Sequence, residues 1–264
     1  MGKLLERLLE RFHIYRIPGY YGKYDHQWTI VIDLDQCDGC EACVIACHAE
    51  NNLPIVGEKE CANNRAFNWI RIERYVEGEY PDVRVKFIPV LCQQCGRARC
   101  EVGCPTYATY HNQDGLNVQV YNRCIGTFTC ASYCPYDVRH FNWFSYQWDS
   151  PLDQQLNPDL TVREKGVMEK CTFCIQRIRD GKERAKDEGR GVRDGEILPA
   201  CVQTCPTGAM TFGDLNDPES RVSRLAKDPR RYRLFEDLNT EPSVIYLKRV
   251  MEGGSSKDEA PFNL

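Results

Sequence analysis

The stretch CDGCEACVIAC (residues 37–47) places Cys37, Cys40, Cys43 and Cys47 at the spacing C-x2-C-x2-C-x3-C. Working outward, variants of the same run return three times. The second holds Cys92, Cys95, Cys100 and Cys104, with four residues in its middle gap and Pro105 after the last cysteine. The third, CIGTFTCASYCP (124–135), holds Cys124, Cys130 and Cys134, and has Thr127 where the template places a cysteine. The fourth holds Cys171, Cys174, Cys201 and Cys205, its middle gap stretched to 26 residues. Of the 16 cysteines only Cys61 stands outside these runs.

This spacing is that of bacterial iron–sulfur proteins. A cubane needs three thiolates converging from one short loop, and two-residue gaps let a tight turn aim successive side chains at one point. The cysteine before the proline ligates the other cluster of a pair, so two such motifs make two clusters that exchange one ligand each. Proline there ends the turn and offers no competing amide donor.

Other uses of cysteine fit less well. Disulfide frameworks belong to small secreted domains without a sufficient core, whereas 264 residues with 42% hydrophobic content can bury one. Zinc sites take pairs of cysteines or pairs completed by histidine, and the chain has five histidines. A net charge of −4 argues against nucleic acid as a partner. No apolar stretch reaches the roughly 18 residues of a membrane span, and the charged start MGKLLERLLERFHIY lacks the form of a signal peptide. Leu4, Leu5, Leu8, Leu9 and Phe12 recur at helical spacing, which predicts an amphipathic helix, either packed on protein or lying on a lipid surface.

Strands are predicted at Trp28–Asp33, Trp69–Tyr75 and Val83–Leu91, and a helix carrying Cys47 through His48 to Asn52. Asp114-Gly115 predicts a hairpin turn. Strand, cysteine loop and short helix thus repeat four times, and Met210–Phe212 adds a strand after the last run. Asp217-Pro218-Glu219 reads as a cap followed by proline at the first helical position, opening a helix that runs to Pro229. Ser243–Val250 reads as a final strand, and GGSSKDEAPFNL as a tail. Arg177, Arg179, Lys182, Arg184 and Lys186 in the fourth run's insertion read as a solvated helix face, with subunit docking the second reading. Cys61 reads as a packed free thiol, and His48 as a surface or supporting residue rather than a ligand. Ile45, Ile125 and Phe128 are expected to shield the clusters. There is no nucleophile with a base, no nucleotide loop and no C-x-x-C-H haem motif, so the expected role is electron transfer without bond chemistry.

The order of the four runs, EKCTFCIQRI around Cys171 and Cys174, and ACVQTCPTGAMTFGDLNDPESRV resemble the four-cluster electron-transfer subunits of complex iron–sulfur molybdoenzymes. Within that family, CIGTFTCASYCPYDVRHFNWF, NWIRIERY and GDLNDP resemble most the iron–sulfur subunits of alternative complex III and menaquinone reductase complexes. The resemblance covers roughly Trp28 to Val250.

It implies an α+β fold of two bacterial-ferredoxin-like double-cluster modules with insertions and a C-terminal extension. Residues 28–78 with 160–215 would form one module from the first and fourth runs, and 79–159 the inserted second module. An amphipathic segment (1–27) and an extension with tail (216–264) would flank them. The implied [4Fe-4S] ligand sets are Cys37, Cys40, Cys43 and Cys205; Cys171, Cys174, Cys201 and Cys47; and Cys92, Cys95, Cys100 and Cys134. Cys124, Cys130 and Cys104 remain for a fourth site, where three thiolates suit a [3Fe-4S] cluster at the quinone end; a four-iron cluster with water, hydroxide or the Thr127 oxygen on the odd iron is the alternative. Implied partners are a polytopic quinone-binding membrane subunit and, at the other end, a molybdopterin-type large subunit or a multihaem cytochrome c, in a hetero-oligomer peripheral to the membrane. The outer face, reached by co-export with a partner, is the implied side, with the cytoplasmic face the alternative. Two further functions stay open: the iron–sulfur subunit of a molybdenum reductase or dehydrogenase for sulfur compounds or formate, and a soluble polyferredoxin shuttle.

Overall fold

The computed structural model describes residues 24–250. The amphipathic segment expected around Leu4 to Phe12 and the tail from Gly253 lie outside the described residues. Strand β1 (Trp28–Asp33) is buried along nearly its whole length, which is why its apolar run does not alternate with polar residues. Helix α1 (Ala42–Glu50) follows the first cysteine loop; it starts earlier than the sequence suggests and ends at Glu50, with Asn51 as its C-cap. A short helix α2 (Glu58–Ala62) leads to the antiparallel ribbon of β2 (Ile70–Glu77) and β3 (Arg84–Leu91).

The second run continues as α3 (Arg99–Val102), then β4 (Thr109–His111) and β5 (Asn117–Gln119), which form the expected hairpin with Gly115 at φ 72°. The third continues as α4 (Thr129–Ser132), followed by β6 (His140–Phe141), which pairs with β7 (Met168–Glu169) just before the fourth run. The fourth run spans α5 (Ile175–Asp187) and α6 (Ala200–Thr204) and leads into β8 (Met210–Asp214). Beyond it lie α7 (Arg221–Leu225), β9 (Arg231–Tyr232) and β10 (Ile245–Leu247).

The largest sheet has the order β8-β1-β10-β9. β1, which precedes the first run, pairs antiparallel with β8, which follows the fourth, and parallel with β10. Trp28 stacks on Phe212 at 5.3 Å, and Phe173 meets Phe212 edge-on at 5.9 Å, so the core beneath this sheet is continuous with the fourth cysteine loop. Val31, Ile245, Leu247 and Val222 close its other face.

The helix expected from Asp217 to Pro229 shrinks to α7. Ser220, not Asp217, caps it by accepting from the Ser223 amide, while Asp217 accepts from the Ser220 and Glu219 amides in a preceding turn. The final strand likewise narrows to three residues. On α5, Arg177 pairs with Glu50 at 2.6 Å and Lys182 with Asp114, so the basic insertion is tied to its own chain at two points. Among the described residues no helix is long and apolar enough to cross a membrane.

The segments around the third run are held by one buried ion pair. Arg163 donates to Glu169 at 2.9 Å and to the Asn52 carbonyl, and Asn142 also donates to Glu169. The Arg163 guanidinium lies 5.2 Å over the Trp69 ring. Removing one member of such a pair strands the other's charge. Arg163→Ala should therefore lower stability by about 3–5 kcal/mol, read as an earlier denaturant midpoint of the holoprotein, with Glu169→Gln in the same chain recovering part of the loss.

Candidate metal centres

Each cysteine loop is shaped by the same backbone device. The residue before the second ligand position has positive φ in every run: Gly39 (74°), Gln94 (47°), Gly126 (70°) and Phe173 (56°). Around Thr127 the backbone repeats that around Cys40, since Glu41 and Phe128, the next residues, have φ 62° and 63°. Thr127 therefore occupies a cysteine's place in an intact loop, with its hydroxyl 3.3 Å from that of Thr129. Gly126 could not be exchanged for a larger residue, because a Cβ there would come within 2.4 Å of the Gly166 carbonyl oxygen.

After each loop comes a helical turn with cysteines four residues apart: Cys43 and Cys47, Cys100 and Cys104, Cys130 and Cys134, Cys201 and Cys205. In the last three the turn is carried through the final cysteine by its amide, which donates to the carbonyl of Glu101, Ala131 or Val202. It then closes on an αL residue at Tyr107, Asp137 or Gly208. The first run lacks the proline, and α1 continues three residues past Cys47. Side chains at i and i+4 share a helix face roughly 6 Å apart along the axis.

That offset distributes the thiols into four groups. Burial first, and then the neighbouring Cys37, Cys205 and Cys40, push the Cys43 thiol up to about 12. Cys47, one turn on, is raised by burial and by Cys171, Cys174 and Cys201. Burial raises Cys95 too, with Cys92, Cys100 and Cys134 as its neighbours. Cys130 is raised by burial and, more weakly, by Cys124 and Cys104. Cys104 moves the other way: burial opposes ionisation, but the amides of Ala108 and Thr109 outweigh it and hold this thiol below its usual value.

Each group neighbours the next. Cys201 feels Cys43, joining the first group to the second. Cys171, pushed up to about 12 by burial, feels Cys92 of the third. Arg139 lies between Cys100 of the third and Cys130 of the fourth. The inner thiols Cys47, Cys171, Cys174 and Cys201 are buried, whereas Cys40 and Thr127, toward the two ends, are exposed.

Thiols packed this closely cannot all ionise unaided; a polynuclear iron centre that neutralises them suits the donor set. Among the described residues no three His, Cys, Asp or Glu side chains close in to the distance of a single metal ion. Thiolates around a cluster stand farther apart, on separate irons. Amide donors aimed at sulfur complete the fit: Ala108 to Cys104 at 3.1 Å, Met168 to Cys124 at 3.3 Å and Phe173 to Cys171 at 3.5 Å. Asn51 Nδ2 adds a contact to Cys47 Sγ at 3.5 Å.

Several expectations are corrected here. Ile45, Ile125 and Phe128 are 69%, 68% and 44% exposed, so they project outward from their loops and do not shield the thiols. Cys61 is exposed rather than packed, because α2 buries none of its residues. His48 hydrogen-bonds Asn68 at 2.9 Å. Sequence reading passed over two buried cations, Arg139 and Lys170, that lie among the cysteine groups; adjacency to Cys171 is the one signal that could have marked Lys170.

Residues 83–150, which contain the second and third runs, match the family described as 4Fe-4S dicluster domain. Over 87% of this chain and 91% of its own length, the iron–sulfur cluster-binding subunit of menaquinone reductase from Nitratidesulfovibrio vulgaris is 43% identical. The iron–sulfur subunit of the arsenate respiratory reductase of a Shewanella species is 34% identical over 83% of this chain and 95% of its own. The Hdr-like menaquinol oxidoreductase iron–sulfur subunit 1 of Archaeoglobus fulgidus is 31% identical over 84% and 83%. With four neighbouring cysteine groups and relatives that match it along most of their length, the chain belongs to the family of iron–sulfur electron-transfer subunits of complex iron–sulfur molybdoenzymes and menaquinone reductases.

Proposed function

We propose that this chain relays electrons in single file between a quinone-binding membrane subunit and a second redox subunit, a multihaem cytochrome c or a molybdopterin-type protein. Bound iron–sulfur clusters supply one-electron exchange without bond making or breaking. The observation that carries the reading is the succession of neighbours from Cys43 to Cys201, from Cys171 to Cys92, and across Arg139 from Cys100 to Cys130. In this reading Cys37, Cys40, Cys43 and Cys205 hold one [4Fe-4S] cluster, Cys47, Cys171, Cys174 and Cys201 a second, and Cys92, Cys95, Cys100 and Cys134 a third. Cys104, Cys124 and Cys130 hold a [3Fe-4S] cluster, with Thr127 at the corner that lacks a thiolate.

The sharing of cysteines between runs supports two double-cluster modules, 28–78 with 160–215 and 79–159, flanked by 1–27 and 216–264. The chain's residues insulate and orient: the buried inner thiols are kept from water, and amides at Cys104, Cys124 and Cys171 stabilise sulfur-centred negative charge. The Thr127 end is assigned to the quinone because a three-iron cluster typically has the higher potential, within the wide range that type and surroundings allow. The menaquinone reductase relative supports a quinone as the exchange partner. We place the complex at the membrane periphery, on the outer face, exported together with a partner.

Anaerobic purification with iron counting and EPR tests the assignment. The expected content is about 15 irons per chain with a three-iron signal in the oxidised protein; about 16 irons without that signal would sink the three-iron site. Thr127→Cys restores the fourth thiolate in a loop already shaped for it. It should convert the site to four irons, abolish the three-iron signal, lower that site's potential and slow exchange with quinone. Spectra unchanged from the parent would mean that another residue defines the site.

A further inference from the structure

Arg139 is 4% exposed, and no carboxylate among the described residues forms an ion pair with it. Its Nη2 donates to Cys100 Sγ at 3.0 Å, to Thr109 Oγ1 at 2.8 Å and to Asn117 Oδ1 at 3.0 Å. Its Nη1 donates to Gln119 Oε1 at 3.0 Å. The carboxylate at one remove, Glu101, binds Asn117 Nδ2 at 2.6 Å and His111 Nδ1 at 2.6 Å. Lys170 repeats the arrangement one junction away. It is 0% exposed, its Nζ donates to the carbonyls of Asn117 and Cys171, and it too forms no ion pair with a described carboxylate.

A buried charge persists only when paired, and neutral amides and carbonyls do not pair with it. The hydrogen bonds to Thr109, Asn117 and Gln119 could equally be made by a neutral amide; the charge itself needs a counter-charge. The group within reach that can carry one is cysteine sulfur, with Cys100 Sγ at 3.0 Å. A guanidinium stays ionised in proteins, and the sulfur that its Nη2 touches is that of Cys100, with Cys130, Cys92 and Cys134 as further neighbours. Those four cysteines belong to the third and fourth groups, while Lys170 acts on Cys171 of the second and Cys100 of the third.

We propose that Arg139 and Lys170 are positioning residues for electron transfer: fixed cations at the two junctions flanking the third cysteine group, which raise the reduction potentials of the sites they separate. An added electron makes a site more negative, and a fixed positive charge beside it, on a ligand sulfur for Arg139 and on the Cys171 carbonyl for Lys170, favours the reduced form. Without the two cations the buried inner sites would be harder to reduce than the exposed outer ones. The inference rests on the cluster assignment proposed above.

The test is EPR-monitored redox titration of the anaerobically purified holoprotein. Arg139→Gln keeps an amide donor and removes the charge. It should lower the potentials of the Cys92 and Cys104 sites by at least a factor of ten in the reduction equilibrium, about 59 mV for one electron, with the Cys37 site unmoved. Arg139→Lys should recover most of the drop. Lys170→Gln should lower the Cys171 and Cys92 sites and leave the Cys104 site in place. Equal drops in Arg139→Gln and Arg139→Lys, or unmoved potentials with irons retained, would overturn the proposal. Should Arg139→Gln shed iron, Gln119→Glu decides, since it adds a carboxylate against Nη1 while keeping the guanidinium. Lower potentials at the same two sites support the role, and unmoved ones refute it. A parent protein with no three-iron signal would defeat the ligand assignment at Thr127 but not the shift at the Cys92 site, so the two failures are distinguishable.

Discussion

One turn of helix governs this molecule. Because two side chains four residues apart share a face at roughly 6 Å separation along the axis, each short helical turn can present one thiol to its own loop and one to the neighbouring group. Cys43 and Cys47 do this on α1, and Cys201 and Cys205 do it on the turn that answers α1. The x3 gap in the motif is this turn written in sequence. With a longer gap the two thiols would not stand one above the other, and neighbouring groups could not share a turn.

The rest of the fold serves to hold those turns in register. β1 and β8 pair although most of the chain lies between them, setting the first and fourth runs side by side. The Arg163–Glu169 pair and its amide neighbours do the same between the end of α1 and the third run. The main apolar cluster runs from the large sheet to the thiols and includes Cys43, Cys47, Cys92, Cys171 and Cys201, while amide and guanidinium donors reach individual sulfurs within it.

Much of this was legible in the residues. The cysteine spacing revealed the loops, and β1, the hairpin at Gly115 and the place of Thr127 followed from local chemistry. What stayed hidden depended on partners distant in sequence. Nothing local says that Arg139 reaches Cys100, Asn117 and Gln119, or that Ile45 and Phe128 turn outward. Asp217-Pro218 carried a genuine helix-start signal, yet Ser220 made the better cap because its hydroxyl faces the Ser223 amide. The extent of the final strand was set by the short length over which β1 and β9 can flank it.

The parallel pairing of β1 with β10, together with Cys205 among Cys37, Cys40 and Cys43, bears on how the protein is made. Cysteines of the first run are grouped with one of the fourth, and their supporting sheet waits for Ile245–Leu247. That group is thus completed only when residues far downstream have folded back onto it. Loading iron in order of translation would leave that group a ligand short until the chain had closed on itself. A pairing so distant in sequence is slow to form by itself, so this group is the one whose closure waits on the long-range part of the fold.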